Sequence, residues 1–322
     1  MIDIALYNEN EHGFWDDFVK QANNGTIFHE RKFLNYHPTG RFKDHSLVFL
    51  EKGKPLALFP AVEADIDGQH TLVSHRGSSY GGIVQPMNQS VEKKIKIVRA
   101  LNTYAKEKGF ASVLMTLPPD IYNRQLNNYL EFACFKEGYA YLKREISSVL
   151  KLEDSIDKNL AKFKSTHRTA YRRGVKMGVE VRESDDYEVF YGILENNLNI
   201  RHGVSPTHSL KELKKLKKLY PQRIRLYGAY VDDTMIAGIV MFDANDLVTL
   251  AFYISHNEAY QEYRGVNVLF KEVIEDSIKR GFQYLDYGIF TINMEPNYGL
   301  ARFKENFGAG GVFRDTLKLD IK

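Results

Sequence analysis

The sequence predicts an α/β protein of the mixed (α+β) kind, made of two tandem units. Each unit is a mixed, mainly antiparallel sheet flanked by helices. Three observations carry this. Strand-like apolar runs alternate with runs of helical period along the chain. The same order, a hairpin, a third strand, a helix and a further strand, occurs once in each half. The two helix-to-strand junctions also match: Lys106-Glu107-Lys108-Gly109-Phe110 and Ile278-Lys279-Arg280-Gly281-Phe282. A length of 322 residues accommodates two domains of ordinary size, expected at 1–150 and 151–322.

In the first half, residues 14–22 read as a short helix. Residues 46–50 and 56–64 flank Glu51-Lys52-Gly53-Lys54-Pro55, a hairpin signal. A third strand spans 71–74. Residues 90–108 carry Val91, Ile95, Val98, Leu101 and Tyr104 at helical spacing, with Gly109 as the stop. A strand at 110–117, a helix at 124–135 and an extended run at 139–152 follow. In the second half, 155–178 reads as one helical, basic stretch, and 186–199 and 209–219 as helices. Strands at 223–231 and 235–242 flank the turn Asp232-Asp233-Thr234, and a third strand spans 246–255. Val266, Leu269, Val273, Ile274 and Ile278 mark the next helix. The strand 283–287, a loop at 289–296 and a helix at 300–308 close the pattern.

Composition narrows the function classes. Hydrophobic residues make up 43% and charged residues 26%, which suits a folded globular chain and excludes a disordered one. The net charge of +3 is too small to name a partner. A single cysteine, Cys134, excludes an intrachain disulfide and a cysteine-based zinc site. Residues 1–5 lack a signal-peptide pattern, and no apolar run reaches the roughly 18 residues of a membrane span. A cytoplasmic location without a membrane span is expected. His29, His37, His45, His70 and His75 are scattered, and no H-E-x-x-H, Walker loop or G-x-G-x-x-G occurs. No metal, NAD or ATP site and no tightly bound cofactor is expected, nor is a DNA partner.

Four motifs point to chemistry. Gly77-Ser78-Ser79-Tyr80-Gly81 matches the G-x-S-x-G elbow, which needs a helix directly after the serine. Here an extended run ends in Pro86, so Ser79 lacks the context of a nucleophile and a flexible substrate-lining loop fits better. Gln261-Glu262-Tyr263-Arg264-Gly265-Val266-Asn267 enters a helix, whose first N–H groups suit a phosphate; an ordinary turn fits equally. From Lys158 to Gly178 there are seven cations and no acid, and Lys164, Arg168, Arg172 and Lys176 share one helix face. That face suits donor phosphates or RNA as well as solvent. Lys211, Lys214, Lys215, Lys217 and Lys218 instead form the wet side of a leucine stripe. Finally, Lys304 stands alone among rings in Leu300-Ala301-Arg302-Phe303-Lys304-Glu305-Asn306-Phe307-Gly308.

Taken together, these segments resemble the Fem family of aminoacyltransferases, which build peptidoglycan cross-bridges, and the wider FemAB-like branch of GNAT acyltransferases. The resemblance covers about 28–318. It rests on His167-Arg168-Thr169-Ala170-Tyr171-Arg172-Arg173-Gly174 with Gly178-Val179, on Phe190-Tyr191 with Arg201-His202-Gly203, on Tyr284 to Gly288, and on the F-K-x-x-F-G ending at Phe303 to Gly308. Tyr80-Gly81-Gly82 resembles the family's first-domain glycine loop.

The resemblance implies two tandem GNAT-like domains, the first carrying the acceptor groove and the second the donor site and catalytic lysine. It implies transfer of an acyl or aminoacyl group to an amine, with acyl-CoA or aminoacyl-tRNA as co-substrate. The acceptor would be a cell-wall precursor or another small molecule. The pyrophosphate loop departs from the family pattern, which leaves both donors open, tRNA included. Lys304 would face the developing oxyanion, with Phe303 shaping the pocket; its plain alternative is a surface lysine between core aromatics. Asp286 is the candidate base or a turn-capping carboxylate. Tyr253 and Arg201, with Tyr80, Gly81 and Gly82, are candidates for substrate binding. Arg168, Arg172, Arg264 and Gly265 are candidates for donor phosphates. Competing readings are a sugar N-acyltransferase of surface-polysaccharide synthesis that uses acyl-CoA, and a non-catalytic ligand-binding relative.

Overall fold

The computed structural model of the chain describes residues 2–202 and 206–321, the side chains of 199–202 excepted. Two compact units form, Met1–Ile146 with Val312–Lys322, and Ser147–Gly311.

The first unit begins with β1 (Asp3–Leu6), α1 (Trp15–Gln21), α2 (Arg31–Leu34), β2 (Lys43–Asp44), β3 (Leu47–Glu51) and β4 (Lys54–Phe59). β1, β3 and β4 form a small antiparallel sheet. Its hairpin turns at Lys52 and Gly53, both with positive φ, the geometry a two-residue turn needs to match strand twist. The run expected as one strand at 56–64 is two strands. Pro60 has no N–H to donate, and there the chain leaves the small sheet for β5 (Ala61–Ile66). β5 pairs antiparallel with β2 and with β6 (Gln69–Ser74). α3 (Val91–Glu107) follows, capped by the Ser90 side chain, which accepts from the Lys93 N–H. β7 (Ser112–Thr116) then lies parallel to β6. Ile97, Val98, Leu101 and Ala105 of α3 join Phe49, Phe59, Val113 and Met115 in the core.

The next helix, α4, starts at Tyr129 (Tyr129–Lys136), later than the pattern predicts. The N–H groups of Arg124 and Gln125 bond to the main chain and side chain of Asn23, which holds that segment out of the helix. β8 (Ala140–Lys151) carries the chain into the second unit.

There, the basic stretch forms two helices, α5 (Ile156–Ala161) and α6 (Ser165–Lys176), where one was expected. β9 (Glu180–Ser184), α7 (Tyr187–His202), α8 (Leu210–Leu219), β10 (Ile224–Val231), β11 (Thr234–Asp243) and β12 (Val248–His256) follow. α9 (Gly265–Lys279) connects β12 to β13 (Tyr284–Ile289). The expected loop at 289–296 holds a two-residue hairpin, β14 (Thr291–Ile292) and β15 (Glu295–Pro296), before α10 (Tyr298–Glu305). β16 (Gly310–Asp320) ends the chain; its residues from Val312 belong to the first unit, antiparallel to β7.

The second unit's sheet runs β9-β10-β11-β12-β13 and ends on residues 147–151 of β8. α9 supplies Val268, Leu269, Phe270, Val273 and Ile274 to its core, beside Ile239, Leu285 and Phe307. β12 and β13 are the parallel pair, and their ladder covers only Val248–Leu250 and Tyr284–Asp286 before the strands part. The β11–β12 ladder shifts register between Val240 and Met241, so Phe252 is an extra residue just before Tyr253.

Candidate active site

The site is built on the last residues of β13, where that strand has left β12. Asp286 is fully buried. Its Oδ1 accepts the Ser147 hydroxyl at 2.5 Å and the Gly288 N–H at 2.7 Å. Gly288 has φ +76°, a left-handed conformation that disfavours any side chain. Lys304 Nζ donates to the carbonyls of Gly288 (2.7 Å) and Ile289 (2.8 Å).

Lys304 lies on α10, which starts with the Asn297 side chain accepting the Leu300 N–H. The residue is 3% exposed, so it is buried rather than on the helix surface. Burial pushes its amine down to about 8, and the charge of Asp286 acts against that. An ammonium has three donors, and two of them are used on carbonyls. Phe303, one position earlier, is half-buried and meets Phe270 and Phe307 edge-on at 5.8 and 5.2 Å. It holds α10 against α9, and that packing aims Lys304.

Tyr253 is also buried. Its oxygen accepts the His208 N–H at 3.0 Å and lies 2.8 Å from His208 Nδ1, while burial pushes the phenol up to about 12. His208, buried in the segment before α8, has no sequence signal that singles it out. The Arg201 side chain lies outside what the structure describes.

The basic helix α6 packs on the start of α9. Gly174 of α6 touches that helix so closely that a Cβ would fall 2.7 Å from Val268 Cγ2 and 2.8 Å from the Tyr263 carbonyl oxygen. Arg264 precedes α9 with φ +58°, and Gly265 is buried against Ile236. His167, half-buried and edge-on to Phe307 at 4.8 Å, is shifted down by burial and by the charges of Lys164 and Arg264. Lys164, just before α6, and Arg264, just before α9, thus both act on His167. Lys158 and Lys162 pair with Asp154 and Glu153. Lys164, Arg172, Arg173 and Lys176 are exposed and form no ion pair among the described residues. Arg168 is turned inward, donating to the Phe163 carbonyl. With Arg172, Tyr171, Leu160, Ala161 and Asp157 it lines a shallow cavity of about 320 Å³.

The glycine loop of the first unit is packed, where a flexible loop was expected. Tyr80 is buried with its hydroxyl 3.2 Å from that of Tyr122, and Gly81 donates to the Thr116 carbonyl at 2.8 Å. A Cβ on Gly81 would fall 2.6 Å from Ser74 Oγ, and one on Gly82 would fall 2.6 Å from Leu117 Cδ2. No helix directly follows Ser79, so the elbow geometry is missing. Among the described residues no group of His, Cys, Asp and Glu is placed to hold a metal, and no helix is long and apolar enough to cross a membrane.

Fold and family match define a class, an N-acyltransferase of the GNAT type with two tandem GNAT-like units. Residues 161–305 match the family model described as an acetyltransferase (GNAT) domain. The fold is similar to that of FemX, at 11% identity and a TM-score of 0.74, over 98% of this chain and 96% of that one. It is also similar to a tandem GNAT protein from the clavulanic acid biosynthesis pathway, at 11% identity and a TM-score of 0.57, over 100% and 99% of the two chains. The C-terminal domain of a putative lysylphosphatidylglycerol synthetase from Agrobacterium fabrum aligns at 10% identity and a TM-score of 0.59, over 97% and 92%. No curated protein sequence matches the chain.

Proposed function

We propose that the chain transfers an aminoacyl group from aminoacyl-tRNA to the amine of a cell-wall precursor, with Lys304 as the cation that meets the developing charge. The carrying observation is the Lys304 ammonium, buried and aimed by two carbonyls on the strand that parts from β12. The acceptor amine attacks the ester carbonyl, the carbonyl oxygen becomes an oxyanion, and the tetrahedral intermediate collapses to an amide. The tRNA hydroxyl leaves with a proton. The third N–H of Lys304 is the donor for that oxyanion; a fixed donor of this kind is worth roughly 3–4 kcal/mol. The tRNA reading is supported by the exposed cations Lys164, Arg172, Arg173 and Lys176, which suit a phosphate backbone.

A second reading takes acyl-CoA as the donor. The start of α9 favours it, because the first N–H groups of a helix lack internal partners and Arg264 stands beside them. Titration with charged tRNA and with acetyl-CoA at two salt concentrations separates the two. Binding to tRNA that weakens steeply with salt supports the first reading, and saturable CoA binding without tRNA binding replaces it with the second. With the substrate pair in hand, Lys304→Ala should lower kcat by about 100- to 1000-fold. Turnover within a few-fold of wild type in a folded variant removes the oxyanion role.

A further inference from the structure

We propose that the first unit has a second ligand site, separate from the acyl-transfer centre: a cavity between the starts of α3 and α4 that takes a carboxylate carried on an apolar chain. The cavity measures about 510 Å³ and is lined by Val91, Leu126, Asn127, Asn128, Tyr129 and Phe132. Four of these six are apolar or aromatic, and Leu126, Tyr129 and Phe132 are at least half exposed, at 86%, 50% and 55%. A soluble surface does not normally cluster such residues without an occupant.

Lys94 stands directly behind the Asn127–Tyr129 side of the cavity wall. It lies one helical turn after Val91 and has no exposed surface. Its Nζ donates to Asn127 Oδ1 at 3.2 Å and stands 5.8 Å from the centre of the Tyr129 ring. Asn127 and Tyr129 are both cavity walls. Lys94 forms no ion pair among the described residues. Its one acceptor is shared, because Asn127 Oδ1 also takes the Tyr129 N–H at 3.1 Å. A buried ammonium is normally balanced by a carboxylate or several acceptors. Here the fold supplies one neutral oxygen, divided between two donors. Burial accordingly pushes the Lys94 amine down to about 8. An anion seated against the Asn127–Tyr129 wall supplies the missing counter-charge from the cavity side, and its apolar chain covers Leu126 and Phe132. The Asn127 side-chain N–H₂, which has no partner among the described residues, is a second donor for the head group.

The test is calorimetric titration of the full chain at pH 7 with octanoate, and with 1-octanol as the neutral control. Octanoate is expected to bind one per chain and at least tenfold more tightly than the alcohol. Lys94→Met should erase that preference, and Leu126→Asp, at a surface position that places a negative charge in the wall, should weaken octanoate at least tenfold. Lys304→Ala should leave octanoate affinity unchanged, which separates this site from the acyl-transfer centre. Equal affinities for acid and alcohol, no saturable octanoate binding, or wild-type octanoate affinity in Lys94→Met overturns the proposal. If Lys94→Met fails to fold, Leu126→Asp decides: unchanged octanoate affinity in that variant overturns it too. Loss of octanoate binding in Lys304→Ala would place the ligand elsewhere and likewise overturn it.

Discussion

Asp286 and Lys304 hold the two polar groups of one residue: Asp286 Oδ1 accepts the N–H of Gly288 at 2.7 Å, and Lys304 Nζ donates to its carbonyl at 2.7 Å. The carboxylate therefore fixes the turn that aims the lysine, and its charge supports the ammonium. In Asp286→Ala the Ser147 hydroxyl and the Gly288 N–H lose a buried acceptor. A loss of about 2–4 kcal/mol in unfolding free energy is expected. Asp286→Asn keeps an acceptor, so its loss should be smaller, but the Lys304 pKa should fall further once the carboxylate charge is gone. Urea denaturation measures the first effect, and NMR titration of the lysine side chain measures the second.

The depressed Lys304 amine sets two pH dependences. Oxyanion stabilisation needs the charged form, so kcat should decline as pH rises through about 8. Lys304→Arg keeps a cation to much higher pH and should lose this limb, whatever activity it retains. Stability moves the other way. The folded amine titrates near 8 and the unfolded one near 10.5. Between those values the unfolded chain binds more protons, so stability rises with pH. The contribution is fully present above 10.5 and is lost as pH falls to 8. The difference in unfolding free energy between wild type and Lys304→Met, followed from pH 7.5 to 10.5, should therefore shift toward wild type by about 1–3 kcal/mol.

Gly174 lets α6 and α9 touch. Alanine there would place Cβ 2.7 Å from Val268 Cγ2 and 2.8 Å from a backbone oxygen, both too close without movement. Gly174→Ala should cost about 1–2 kcal/mol, because overpacking outweighs the better helix propensity. Gly192 on α7 has open space around it, and Gly192→Ala should instead gain about 0.5–1 kcal/mol. Parallel thermal melts decide. If the two substitutions act alike, the close helix contact is not what constrains Gly174.

These relationships were unequally legible in the sequence. The repeated strand and helix order was readable because apolar residues recur at the right period in α3 and α9, with Gly109 and Gly281 as stops. β16 was not read, because Arg314, Asp315 and Lys318 interrupt its apolar residues; Asp315 pairs with Arg144 at 2.9 Å and Arg314 donates to the Ser79 carbonyl. The late start of α4 depends on Asn23, about a hundred positions away, which no local pattern reveals. Lys304 stood out between Phe303 and Phe307, but its neighbours alone left it reading as a surface lysine, and its role came from the family resemblance. Its burial and its two carbonyl acceptors come from tertiary structure. Ser147, the hydroxyl that fixes Asp286, lies 139 positions from it. Lys94 was not singled out, because its lack of a counter-ion is visible only once α4 is in place.

Tyr253 and His208 form another buried polar link in the second unit. The Tyr253 oxygen takes the His208 N–H and lies 2.8 Å from Nδ1 of the same residue, so it orders the segment leading into α8 as well as the ring. Tyr253→Phe removes the acceptor of the His208 N–H and the partner of its Nδ1 while keeping the ring. Because His208 is buried, water does not readily replace the lost partner, and about 1–3 kcal/mol of stability should be lost. His208→Ala should cost a similar amount. The double variant should cost clearly less than the sum, since the two residues share one interaction. A substrate-binding role for Tyr253 would add a rise in KM that Tyr253→Phe shows and His208→Ala does not. If both variants raise KM equally, Tyr253 acts by ordering the segment before α8 and not by touching substrate.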